Sequence, residues 1–426
     1  MIRCVIWLAA AGLACGSERR SEAAHAGIPD RAPPSTSTVD PDSTELRFTS
    51  VSAGEEFTCG LAQEGRAYCW GSNEVGQLGD GSKMGELVNR PYAAPVAGGH
   101  AFAAISAGDV HVCALTADGQ AFCWGYDVNG ALGGPGKRSA VPSAVVTDLR
   151  FVAVVAGPQR TCGLTRDGVV YCWGRFSLPS AAPGGRPALE PTRLPGEIQF
   201  RAVGLGLSHA CGLARDSRVY CWGSNEFGEL GVRPTGPRRP APVPVTFPEG
   251  AAESFTSVGA SPYDSCAVDE AGRGYCWGRD MFGQLGNGRL TSPDEPTPTP
   301  TLVAGGHQWR LIRPGDYACG LVVHGEAYCW GLSSLPQTPG TSTAANLCDG
   351  PPPRTCSTEP LPVAGGLRFR DLSVGGGHSC GVTTDGGIYC WGRNDYGQLG
   401  NGSREPSAEP TRVLLRLEGA PVRSPP

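Results

Sequence analysis

The sequence predicts an all-β fold, a seven-bladed β-propeller of four-stranded antiparallel blades, and three observations predict it. Cys-Trp-Gly occurs seven times, with Trp70, Trp124, Trp173, Trp222, Trp277, Trp330 and Trp391 spaced by 54, 49, 49, 55, 53 and 61 residues. The chain of 426 residues carries 63 Gly and 38 Pro, which cost about 1 and about 3 kcal/mol in a helix interior and so disfavour long helices. Each unit divides into short apolar runs bounded by Gly, Asp or Pro, as antiparallel strands do. About four strands per unit make one small sheet, which buries its faces against its neighbours and closes into a ring. Charged residues are 18% and the formal net charge is -5. Nothing in that balance attracts a phosphate backbone, so no nucleic-acid partner is expected.

The elements follow in chain order. Residues 1–14 have an early Arg3, an apolar run and small residues, the pattern of a secretory signal too short to span a bilayer. Leu13-Ala14-Cys15-Gly16-Ser17 is similar to the bacterial lipobox, in which the cysteine is acylated after cleavage. Gly12 departs from that pattern, where a branched apolar residue is preferred, and ordinary signal cleavage is the alternative. A lipid on Cys15 would hold the protein to a membrane without a spanning helix. Residues 15–45 form a Pro/Ser-rich tether without apolar periodicity, and about 30 flexible residues reach about 30 Å. The propeller is expected over 46–418, with a C-terminal tail at 419–426.

Each unit repeats one succession. In the first it reads Phe48-Thr-Ser-Val-Ser-Ala-Gly54, Cys59-Gly60-Leu61, Glu64-Gly65, Tyr68-Cys69-Trp70-Gly71 and Gly76-Gln-Leu-Gly79. Five units carry the Gly-x-Leu-Gly segment; units three and six replace it with Arg175-Phe-Ser-Leu-Pro and Leu332-Ser-Ser-Leu-Pro. The succession resembles the regulator of chromosome condensation repeat family over about residues 46–418. The resemblance implies a seven-bladed propeller, and it also implies guanine-nucleotide exchange on a small GTPase as one activity. The repeated Trp and Tyr read as inter-blade core, each worth about 2 kcal/mol of burial; an aromatic ligand cage is the sharper alternative.

Fourteen of the 18 cysteines form pairs ten residues apart: Cys59 with Cys69, Cys113 with Cys123, Cys162 with Cys172, Cys211 with Cys221, Cys266 with Cys276, Cys319 with Cys329 and Cys380 with Cys390. A three-residue hairpin loop at 63–65, with Gly65 left-handed, sets Cys59 opposite Cys69. That juxtaposition suits a disulfide, and a signal sequence implies an oxidising compartment. Cys348 and Cys356 make an eighth candidate pair in a Pro-rich insertion. Zinc would need four converging ligands, which this spacing does not give; buried reduced thiols are the stronger rival.

No HExxH or Walker segment is present, and no catalytic residue, metal or cofactor is expected. His111, His209 and His378 each precede a repeat cysteine by two, in units two, four and seven, and read as a variable turn position. His100, His307, His324 and His25 share no evident spacing. The segments after Cys-Trp-Gly should all emerge on one face, where Phe176, Phe227, Met281, Phe282 and Tyr396 are candidate binding residues; the alternative is that these side chains fold back on their own blades. The leading expectation is a non-enzymatic scaffold, monomeric and exported, that binds a protein or surface glycan. It would be an outer-membrane or cell-surface lipoprotein, otherwise periplasmic or secreted. Nucleotide exchange and an enzyme with its site in the central funnel are the alternatives.

Overall fold

The computed structural model describes residues 46–83, 88–134, 136–175, 188–236, 238–290, 296–315, 317–332, 346–348 and 354–415, with the backbone alone at 346–348, 354 and 355. The signal segment, Cys15 and its tether, Phe176, the Cys348 side chain and the tail at 419–426 lie outside the described residues.

Seven antiparallel sheets follow one another along the chain, each built from consecutive strands. Blade 1 consists of Phe48–Ala53, Phe57–Ala62, Ala67–Gly71 and Arg90–Pro95. Blades 2 to 7 repeat it over residues 102–144, 151–193, 200–244, 255–302, 309–362 and 369–412. Blade 6 departs by one short fifth strand, Asn346–Cys348, paired to the outer strand Arg354–Pro362. Across the closure, Phe48 N–H donates to Gly386 O as Phe102 N–H donates to Gly65 O, so blade 7 docks on blade 1 as blade 1 docks on blade 2.

The hairpin between the second and third strands has the expected register. Gly65 has φ +84°, and Gly65 N–H donates to Ala62 O while Ala62 N–H donates to Arg66 O. Cys59 therefore pairs directly with Cys69. The same register sets Cys113 opposite Cys123, Cys162 opposite Cys172 and Cys211 opposite Cys221. It also sets Cys266 opposite Cys276, Cys319 opposite Cys329 and Cys380 opposite Cys390. All seven pairs are disulfides, with Cα atoms 4.1 to 4.2 Å apart. In each, the partner on the third strand is the cysteine of Cys-Trp-Gly: Cys69, Cys123, Cys172, Cys221, Cys276, Cys329 and Cys390. Cys356 is also disulfide-bonded.

Blades this small have no private core. Seven clusters of buried side chains form instead, and each is drawn from two adjacent blades. The repeated Trp of each blade packs back on the preceding blade; Trp124 joins Leu61, Cys59 and Cys69 of blade 1. The disulfides pack forward, so each is shielded by the next blade.

Candidate functional site

Alternating strand direction places the loop between strands one and two, and the loop between strands three and four, on the same face of the ring. The innermost strands line a central channel of about 1210 Å³, with Ser52, Ala107, Ala156, Leu205, Val258, Arg313 and Leu372 on its wall. Glu55 of blade 1, Asp109 of blade 2 and Arg393 of blade 7 line it where it meets the loop face. Burial, and then the Glu55 charge, push the Asp109 carboxyl up to about 6. Arg313 and Asp371 also line the channel, but they hold its wall together. Arg313 Nε donates to Leu372 O at 3.3 Å, and Asp371 accepts Val51 N–H at 3.3 Å.

The Gly-x-Leu-Gly loops on this face are rigid. In blade 1, Asn73 Oδ1 accepts Leu78 N–H at 3.1 Å and Gln77 Oε1 accepts Val75 N–H at 3.0 Å. The same two clamps recur in blade 4 through Asn225 and Glu229, in blade 5 through Asp280 and Gln284, and in blade 7 through Asn394 and Gln398. Phe227, Phe282 and Tyr396 are the clamped residues, so their backbones are fixed. Phe227, Met281, Phe282 and Tyr396 are all half-buried and stand on blades 4, 5, 5 and 7. Phe227 meets Tyr263 edge to face at 5.6 Å. The neighbouring Glu56 charge, followed by burial, raises the Tyr396 phenol above its usual range.

These loops also hold the seams between blades. The carbonyl at the x position of each loop accepts the indole N–H of the next blade: Trp124 to Gln77 at 3.1 Å, Trp173 to Ala131 at 2.9 Å, Trp277 to Glu229 at 2.8 Å, Trp330 to Gln284 at 2.8 Å and Trp70 to Gln398 at 2.9 Å. The loop and the repeated tryptophan are thus two halves of one joint.

The three repeat histidines are not at a turn. His111, His209 and His378 begin the second strands of their blades and are buried. Each Nε2 meets a hydroxyl of the next blade at 2.8 Å: His111 to Thr161, His209 to Ser265, His378 to Thr58. Those hydroxyls donate to the loop carbonyls of Ala131, Glu229 and Gln398. The imidazole is therefore the donor, and its bare Nδ1 has no partner among the described residues. Desolvation holds the imidazoles far below the usual value, His111 at about 4 and the other two at about 3. The ring's need for space explains the preceding Ala-Gly as well: a Cβ on Gly108 would lie 2.9 Å from the His111 ring.

Sequence reasoning missed this pairing, although its signal was present. Wherever the residue two before the first cysteine is His or Tyr, the residue before the next blade's cysteine is Thr or Ser. Wherever it is Phe57, Arg160 or Asp264, the partner position is Val112, Ala210 or Ala318. His100 and His307 also share a repeat position, two before the first-strand aromatic; they pack on Phe122 and Tyr328 with centroids 4.4 and 4.2 Å apart.

The RCC1-like domain matches residues 84–424, and a regulator of chromosome condensation repeat matches 48–77. The ultraviolet-B receptor UVR8 of Arabidopsis thaliana is 30% identical over 190 residues, 44% of this chain and 40% of the receptor. The mitochondrial RCC1 domain-containing protein RUG3 of the same plant is 30% identical over 382 residues, 88% of this chain and 60% of that protein. The chain thus spans 40 to 60% of the length of these relatives. Yeast RCC1 (Prp20), solved bound to Kap60, superposes with a TM-score of 0.71 at 18% identity, over 87% of this chain and 86% of that one.

Proposed function

Because the chain belongs to the RCC1-like domain family, we propose that it is an exported, lipid-anchored propeller whose loop face binds a protein or surface glycan. The observation that carries this reading is the set of seven intrablade disulfides. Such bridges persist in oxidising compartments and are rare where glutathione keeps thiols reduced. No helix among the described residues is long and apolar enough to cross a membrane. Acylated Cys15 is the proposed attachment, with residues 16–45 as spacer. The binding residues are Phe227, Met281, Phe282 and Tyr396, with Phe176 beside them in sequence order. Rigid loops of differing chemistry on a fixed ring are the usual layout of a recognition surface, because little conformational freedom is lost on binding. Yeast RCC1 was itself solved with a protein partner.

Cell fractionation tests the export half. Cys15→Ser should move the protein from membrane to soluble fractions, and no movement overturns the anchor. Mass spectrometry without reductant should find every described repeat cysteine bridged. A cytosolic pool with free thiols would favour nucleotide exchange instead. A pull-down comparing the wild type with Phe227, Phe282 and Tyr396 all changed to Ser tests the face; equal recovery rejects it.

A further inference from the structure

At the seam between blades 4 and 5, three loops bring Phe227, Tyr263 and Arg279 together. The Arg279 guanidinium carbon lies 5.1 Å from the Phe227 ring centroid and 5.0 Å from that of Tyr263. The two rings meet edge to face at 83°. Among the described residues the Arg279 side chain has no hydrogen-bond or ion-pair partner, and its Nε is buried. A guanidinium carries five N–H donors and no acceptor, so Arg279, held against the two rings by cation–π attraction, keeps donors to offer a ligand.

Other arginines on this face are engaged. Arg393 is chelated by Asp395 at 3.0 and 2.8 Å. Arg160 donates to the carbonyls of Gly206 and His209, and Arg175 to Gln159 at 3.3 Å. Arg279 alone among these has its fork unspent.

We infer that Phe227, Tyr263 and Arg279 form a preorganised receptor for one carboxylate, the side chain of an Asp or Glu on a protein partner docked on the loop face. The inference rests on the loop-face reading and gives it a partner chemistry. A planar fork matches a carboxylate with two parallel hydrogen bonds. The flanking rings hold that fork in place, which lowers the ordering cost of binding. Charge selects a monoanion over a phosphate or sulfate. Glu226 precedes Phe227 in its own loop, so a dianion meets more repulsion for the same single cation; Asp280 and Glu229 add less, because burial pushes the Asp280 carboxyl up to about 7 and raises that of Glu229.

The test uses the full chain and a random heptapeptide display library. Peptides selected by the wild type should carry Asp or Glu at one fixed position. A labelled selected peptide, read by fluorescence anisotropy, should lose about tenfold or more in affinity when that residue is changed to its amide. In Arg279→Gln the same peptide change should have no effect, and Arg279→Lys should restore only part of the binding, because an ammonium lacks the fork. Unchanged melting curves for both variants exclude misfolding as the cause. If peptides bind and depend on Phe282 and Tyr396 but not on Arg279, the face binds and the carboxylate receptor is wrong. If no peptide is selected, the carboxylate receptor falls, while the loop-face reading is decided by the pull-down. Tighter binding of a phosphoserine peptide than of its Glu counterpart overturns the monoanion assignment.

Discussion

Blades 3 and 6 both lack the Gly-x-Leu-Gly segment that supplies a carbonyl to the next blade's tryptophan, yet their seams solve the loss differently. At the seam between blades 6 and 7, Tyr317 Oη accepts the Trp391 indole N–H at 3.1 Å. At the seam between blades 3 and 4, the buried Trp222 Nε1 has no partner among the described residues. There Arg160 occupies the position of Tyr317 and sends its guanidinium to the carbonyls of Gly206 and His209 in blade 4. Burial holds that guanidinium down at about 9. One position, two residues before the first cysteine, is therefore the adjustable part of these seams. In blades 2, 4, 6 and 7 it bonds the next blade's hydroxyl or indole, and in blade 3 that blade's backbone.

The largest expected effect separates seams by acid. His111, His209 and His378 are buried neutral, so the unfolded chain takes up their protons first as pH falls. Their contribution is full above about pH 6.5 and is lost as pH drops toward about 4 for His111 and about 3 for His209 and His378, at about 1.4 kcal/mol per pH unit for each histidine. His111→Gln should flatten the dependence of urea midpoint on pH between 6.5 and 4, and an unchanged slope would remove this seam from the account. The raised carboxyl of Asp109 acts in the opposite sense, favouring the fold as pH falls through about 6, so the comparison must be made between variant and parent.

A middle-sized effect is expected from Tyr317→Phe. The change leaves the Trp391 indole, like that of Trp222, without an acceptor among the described residues, and should cost about 2 kcal/mol in urea unfolding. No loss would mean the phenol does not hold the seam.

The smallest effect sharpens the contrast. Trp124→Phe and Trp222→Phe remove the same indole area, but only the first breaks a hydrogen bond made by the described residues. Trp124→Phe should be the more damaging by about 1 kcal/mol, and equal costs would show that the loop carbonyl contributes nothing.

Much of this molecule could be read along the chain because much of it is local. The ten-residue cysteine spacing, the turn at Gly65 and the hairpin register are all settled within a dozen residues. The Cys-Trp-Gly repeat fixes the number of blades by counting. The seams were harder because their partners lie about 50 residues apart, and the hydroxyl opposite His111 is visible only when neighbouring repeats are aligned two at a time. The receptor around Arg279 was harder still. Phe227 stood out as an aromatic in a loop, and Arg279 follows Trp-Gly as Arg175 and Arg393 do, but Tyr263 follows no repeat pattern, and only the ring geometry brings the three together. Glu55 and Asp109 share a repeat position, each directly after Ala-Gly, but only the closed ring shows that this position lines the channel mouth.

Seven is odd, and that has a consequence for how the ends of the chain find each other. His or Tyr meets a hydroxyl between blades 2 and 3, 4 and 5, 6 and 7, and 7 and 1, while the three intervening joints have none among the described residues. A two-letter code cannot alternate all the way around an odd circle, so it must stutter once. The stutter falls on blade 7, whose His378 reaches Thr58 of blade 1. Blade 7 is thus the one blade with the pairing at both of its joints among the described residues, and two such seams adjoin where the ring closes.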